Sequence, residues 1–152
     1  MRALKKVVLA AAVGVVLSAG TAGAADDPAA VVEYRKHVMG ILAGSISGIF
    51  QILEAKVSLP QHAAGHAKAL NAAAGMVLES FPEGSITADS RSKPEIWTDW
   101  AKVEEAGKAL QMAAAELETA AAGGDMAAIG AAAGKVGDAC GGCHKPFRVP
   151  QQ

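Results

Sequence analysis

Four stretches of the chain place their apolar residues alternately three and four positions apart, and this rhythm constrains the fold more than any other feature. Arg35, Met39, Leu42, Ile46, Ile49 and Leu53 form the first series, and Ala67, Leu70, Ala74, Val77 and Phe81 the second. Ile96, Trp100, Val103, Gly107, Leu110, Ala114, Leu117 and Ala121 form the third, and Met126, Ile129, Ala133, Val136, Cys140, Cys143 and Phe147 the fourth. An average step of 3.5 residues keeps each series on one face of an α-helix. The punctuation between them agrees. Asp26-Asp27-Pro28 offers a cap and a first-turn proline, Ser58-Leu59-Pro60 breaks the first helix, and Gly123-Gly124-Asp125 stops the third and caps the fourth. Pro82, Gly84, Asp89 and Ser90 make 81–93 a loop. The expected helices cover about 28–57, 60–80, Pro94 to the glycine pair, and onward from Asp125. With aromatic residues at only 4%, a sheet has little to build on. The expected fold is all-α, an antiparallel four-helix bundle.

The first 24 residues read as a separate unit. Arg2, Lys5 and Lys6 form a basic start, Val7 to Leu17 an apolar run, and Ala22-Gly23-Ala24 a small-residue cleavage site. This is the pattern of a cleaved secretory signal, and the apolar run is shorter than the ~20 residues of a membrane span. The expected organisation is therefore a signal peptide over 1–24 and one domain over 25–152, exported to the periplasm without a membrane anchor. The exported part carries 11 Lys and Arg against 15 Asp and Glu, a net of −4. It has no basic, aromatic-interleaved patch of the kind that binds nucleic acid.

The two cysteines of the chain fall in Cys140-Gly141-Gly142-Cys143-His144. This C-x-x-C-H run is the attachment pattern of a c-type haem. On a helix the two thiols share a face and reach two vinyl groups of one haem c, and His144, four positions after Cys140, can ligate its iron. A disulfide across so short a loop would constrain the unfolded chain little and would leave His144 without a role. A zinc site needs four ligands, and His37, His62 and His66 are not tied to this helix. His62 and His66 are spaced i, i+4 but read as a solvated helix face, and His37 lies off the seam. Both cysteines lie on the core seam of the fourth helix, where a bundle holds a cofactor.

The complete pattern resembles the class II cytochromes c, that is, cytochrome c′ and its low-spin c-556 relatives. The resemblance rests on the C-terminal Cys140-Gly141-Gly142-Cys143-His144 with Phe147-Arg148, on Tyr34-Arg35 with Met39, on Phe81-Pro82-Glu83-Gly84-Ser85, and on Lys93-Pro94-Glu95-Ile96-Trp97. It implies one haem c with His144 as axial ligand and Met39 on the opposite side of the iron. The favoured reading is that Met39 ligates, which closes both axial positions and makes the expected role electron transfer with periplasmic redox proteins. If it only packs there, the iron is five-coordinate and binds nitric oxide or carbon monoxide. Arg35, a charge on a core seam, needs a partner; it either meets a haem propionate or snorkels to water at the end of the bundle. The resemblance sets Arg148 beside the proximal face, but Pro146 departs from the family pattern and is expected to end the helix early. Met76, Met112 and Met126 read as core filler, and Trp97 and Trp100 as anchors of the third helix. The glycine stripe Gly40, Gly44 and Gly48 points to a close approach, and with the family it implies a homodimer through the first two helices. No acid/base pair or activated nucleophile stands out, so an enzyme is not expected.

Overall fold

The computed structural model describes residues 26–150; the expected signal segment 1–24 lies outside the described residues. Four long helices form an up-and-down bundle: α1 (Pro28–Leu53), α2 (Ala63–Met76), α4 (Trp100–Gly123) and α5 (Met126–Phe147), with the single turn α3 (Glu95–Thr98) ahead of α4. α1 packs on α2, α2 on α4 and α4 on α5, while α1 and α5 meet along a looser seam. The caps arise where the sequence offers them. Asp27 accepts from the Ala29 N–H at 3.1 Å and Asp125 from the Ala127 N–H at 2.9 Å. Gly124 takes a left-handed φ of 75° after α4, a conformation that costs glycine nothing.

The seams of α4 and α5 lie as expected. Val103, Gly107, Leu110, Ala114, Leu117 and Ala121 are buried, as are Ile129, Ala133, Val136 and Phe147. On α1 the buried stripe is Val32, Arg35, Val38, Leu42, Ser45, Ile49 and Ile52. Met39, Ile46 and Leu53 flank it as half-buried residues against the core. The expected seam was thus right at 35, 42 and 49 and one residue late between them. α1 is shared between α2 and the looser α5 side, so its buried face is wider than a two-helix seam.

Three boundaries differ from expectation. α1 ends at Leu53 rather than near 57 because Ala55 turns left-handed, with φ 55°, and the Lys56 N–H bonds back to Gln51 O. The third helix is broken at Asp99 (φ −109°, ψ 33°). The turn ahead of that break is pinned separately, by buried Ile96 and by the Trp97 Nε1–H donating to Phe81 O at 3.2 Å. α5, by contrast, runs through Pro146 to Phe147. The proline removes one helical N–H, but Phe147, at 4% exposure, is held in the core, and the Arg148 N–H still reaches His144 O at 3.1 Å.

The left-handed Ala55 yields a direct expectation. A left-handed L-residue costs ~1–2 kcal/mol that glycine avoids, partly offset by glycine's freer unfolded chain. Ala55→Gly should therefore raise stability by about 0.5–1 kcal/mol, read as a higher denaturation midpoint at unchanged m value.

Candidate haem site

A cavity of about 600 Å³ opens along the α1–α5 seam. This lies within the ~300–1,000 Å³ of cofactor sites. α5 contributes Cys140, Cys143 and His144 to one wall, and α1 contributes Met39, Leu42 and Ile46 to the lining. α4 approaches closely at Gly107, where an added Cβ would sit 2.5 Å from Leu78 Cδ2. The small side chain there lets the 78–80 turn close down on α4.

Both thiols are free and half-buried. Burial pushes each thiol up from its usual range, and Cys140 adds to the rise at Cys143. They are therefore neutral thiols at pH 7 rather than thiolates poised for a metal. Among the described residues no group of three or more His, Cys, Asp or Glu could hold a metal ion. Two uncharged thiols and an imidazole on one wall of a largely apolar cavity suit covalent attachment of a haem through thioethers, with iron on the imidazole.

Arg35 is 5% exposed, which removes the snorkelling reading. Its Nε–H donates to Ser80 O at 2.8 Å and Nη1 to Ser92 Oγ at 3.2 Å. Nη2 donates to Ser85 O at 2.9 Å and to Ser85 Oγ. The guanidinium also lies over the Phe81 ring, 4.2 Å from its centre. Four of the five N–H donors of the group are thus engaged, one Nη1–H is left, and no carboxylate among the described residues pairs with the charge. Burial lowers the Arg35 pKa, but the group remains a cation. Arg35 lines the cavity, so this spare donor and unpaired charge suit an anionic group bound there.

His144 is half-buried, and its pKa is lowered, first by burial and then by the nearby Arg148 and Arg91 cations. Arg148 reaches the imidazole despite Pro146: its Nη1 lies 3.3 Å from Nδ1. The usual second partner of a ligating histidine is a carbonyl or carboxylate; here a guanidinium stands in that place. Arg148 is in turn paired with Ser92 in an isolated antiparallel bridge. The Lys93 N–H donates to Phe147 O at 2.9 Å and the Val149 N–H to Arg91 O at 2.8 Å.

The other candidates are peripheral. His37 is exposed near Glu33, at 3.5 Å. His66 packs against Gly48, where a Cβ would lie 2.6 Å from its ring, so that glycine has a packing reason; Gly40 lines the cavity and Gly44 has open space. Met112 is 69% exposed and is not core. Ser80, Arg91 and Ser92 did not stand out in the sequence, and Ser85 did so only as part of the Phe81–Ser85 stretch, with no role read for it. They carry no period, and only the unpaired Arg35 on a buried seam signalled that the loop must supply acceptors.

Comparisons with known proteins converge. The family model described as Cytochrome C′ matches residues 30–148. A cytochrome c′ from Rhodospirillum rubrum is 38% identical over 147 residues, 96% of this chain and 99% of its own. The crystal structure of cytochrome c′ from Rubrivivax gelatinosus superposes with a TM-score of 0.76 at 27% identity, covering 82% of this chain and 98% of that one. Cytochrome c′ from Shewanella frigidimarina gives 0.79 at 27% identity, covering 84% and 100%.

The lowered pKa of His144 fixes a sign. The unfolded chain, with histidine near 6.5, takes up a proton before the folded one does. The stability contributed by neutral His144 is complete above that value and is lost as pH falls through 6.5 toward the lowered folded pKa. A haem-free Cys140→Ser/Cys143→Ser chain should show this loss in denaturation midpoints between pH 7 and 5. Adding Arg148→Ala should narrow it, because one cause of the lowering is gone.

Proposed function

The chain belongs to the cytochrome c′ family, and on that premise we propose an exported monohaem cytochrome whose iron is open on one side to a small uncharged ligand, nitric oxide or carbon monoxide. The reading is carried by the match to cytochrome c′ along almost the whole chain. Haem c, the cofactor of this family, supplies an iron that changes oxidation state and takes axial ligands. Cys140 and Cys143 would hold it by thioethers, and His144, neutral at pH 7, would present its Nε2 lone pair to the metal. Arg35 would give its spare N–H and charge to a propionate, and Arg148 would lie on the proximal side. Met39 would pack over the opposite face with Leu42 and Ile46, in an apolar wall that favours a diatomic gas over a charged ligand. The expected signal over 1–24 would deliver the chain to the periplasm, where haem attachment takes place.

The sequence favoured the closed alternative, a His144/Met39 pair serving electron transfer to periplasmic redox proteins. Membership in the cytochrome c′ family reverses that order. One observation keeps the second reading in view: Met39 is half-buried and lines the same cavity as His144. Spin state separates the two. The open reading expects a high-spin ferric EPR signal, carbon monoxide binding to the ferrous protein, and no change of spin in Met39→Ala. A low-spin ferric signal that turns high-spin in Met39→Ala would establish the His/Met electron carrier instead.

We also infer a homodimer through α1 and α2. By length and composition α1 is long and apolar enough to cross a membrane, yet its buried stripe makes it a bundle helix, so much of its apolar surface faces outward. Tyr34 and Ile41 lie two turns apart on one face beside α2 and are 52% and 45% exposed. The Tyr34 hydroxyl lies 3.6 Å from Met76 Sδ of α2. Ile41→Glu should shift the protein from dimer to monomer in sedimentation velocity without changing its visible spectrum.

A further inference from the structure

We propose that Ser92 is a positioning residue for His144, acting through a strap that ties α1 to the C-terminal end of α5. The proposal rests on the haem reading above and deepens it. The strap runs through one side-chain hydrogen bond, one backbone bridge, whose two hydrogen bonds are made by the flanking residues, and one close approach of charge to the imidazole. Arg35, from α1, donates through Nη1 to Ser92 Oγ at 3.2 Å. The Ser92 backbone is fixed on its own side by its N–H donating to Ser90 Oγ at 3.2 Å, and it pairs with Arg148 in the antiparallel bridge. Arg148 then sets its Nη1 3.3 Å from His144 Nδ1.

The flanking residues strengthen the same joint. Lys93 donates its backbone N–H to Phe147 O at 2.9 Å and its Nζ to Pro146 O at 2.9 Å. Arg91 accepts from the Val149 N–H at 2.8 Å and returns its Nη2 to Val149 O at 2.7 Å. These bonds satisfy carbonyls that a helix end leaves free, and the Lys93 cation sits where the negative end of the helix dipole favours it.

The strap matters because α5 alone holds its last turn weakly. Pro146 has removed one intrahelical N–H there, and Arg148 already has extended backbone (φ −118°, ψ 135°). The Arg148 backbone, from which the guanidinium extends, is therefore held by the bridge beside Ser92 as well as by its own N–H bond to His144 O. The charge next to His144 Nδ1 governs how strongly the imidazole donates to a metal on Nε2. A hydroxyl on a loop, anchored to α1, thus controls the donor strength of a residue on α5.

Two substitutions open the strap without touching Cys140, Cys143 or His144. Ser92→Ala deletes the acceptor for Arg35. Val149→Pro deletes one bridge N–H at an exposed residue, and the extended backbone of Arg148 already suits the position before a proline. The readouts, on ferric holoprotein, are the hyperfine-shifted ring resonances of His144, the reduction potential, and hydrogen exchange at the Lys93 amide. Both variants should move the resonances and the potential in the same direction and speed exchange at Lys93 about fivefold. Ser92→Thr, which keeps the hydroxyl, should stay at wild-type values, as should Lys102→Ala on the surface. The positioning role is overturned if Ser92→Ala and Val149→Pro keep the wild-type resonances and potential, or if Ser92→Thr is displaced as far as Ser92→Ala. A colourless protein would defeat the haem reading itself, whereas a coloured protein with an unmoved His144 signature defeats only the role of Ser92.

Discussion

A buried arginine must find acceptors within the protein, and in this bundle Arg35 takes them from one loop. A buried cation without partners would cost several kcal/mol; hydrogen bonds to a charged group return ~1.5–3 kcal/mol each, though not additively. The acceptors Ser80 O, Ser85 O and Ser92 Oγ are spread over thirteen positions of chain that lack any regular period. One side chain of α1 thus gives the 80–92 segment its shape. That shape in turn decides where the segment meets the end of α5. The Phe81 ring beneath the cation and the Trp97 N–H on Phe81 O extend the same arrangement to α3. The cavity end of the bundle is organised from Arg35 outward rather than from the apolar core alone.

What could be read in the sequence follows from how local each cause is. The seams of α4 and α5, the caps at Asp27 and Asp125 and the stop at Gly124 arise from residues a few positions apart, and they lie where the pattern put them. The haem-attachment wall was legible for the same reason, since Cys140, Cys143 and His144 share one helical face. The seam of α1 was only half legible because its burial depends on two neighbours at once. The continuation of α5 past Pro146 was not legible at all. It depends on Phe147 finding a core site and on Lys93 and Arg91 arriving from fifty-odd residues away. Local propensity marked the proline as a stop, and tertiary bonding outweighed it.

The abundance of alanine and glycine has a related consequence. Ala67, Ala73, Ala74, Ala113, Ala114, Ala132 and Ala133 are buried, so α2, α4 and α5 approach closely where these residues face one another. Toward the α1–α5 seam larger residues such as Met39, Leu42, Ile46 and Phe147 stand among small ones such as Gly40, Ala43, Ala106 and Ala139, around a void. Close packing on one side and a void on the other come from one distribution of side-chain volume. Native interiors rarely keep unfilled space. A cavity of about 600 Å³ bounded by two thiols, an imidazole and a cation that no carboxylate among the described residues pairs with suits a bound group better than a packing defect.

The proximal side bears on which ligand state that site supports. Were Nε2 given to iron, Nδ1 of the neutral imidazole would carry a proton. A carbonyl or carboxylate there would accept that proton and strengthen the imidazole as a donor. Here Arg148 Nη1 lies 3.3 Å from Nδ1, and Arg91 adds a second positive charge nearby. Positive charge withdraws electron density from the ring, just as it lowers the His144 pKa in the free chain. An axial bond from His144 would therefore be weaker than one backed by a carboxylate. A weak proximal donor fits an iron that exchanges a gas on its other face better than one locked between two strong ligands for rapid electron transfer. On the proposed role of Ser92 the strap would keep that charge in place, and the loop organised by Arg35 would act on a metal at His144 without touching it.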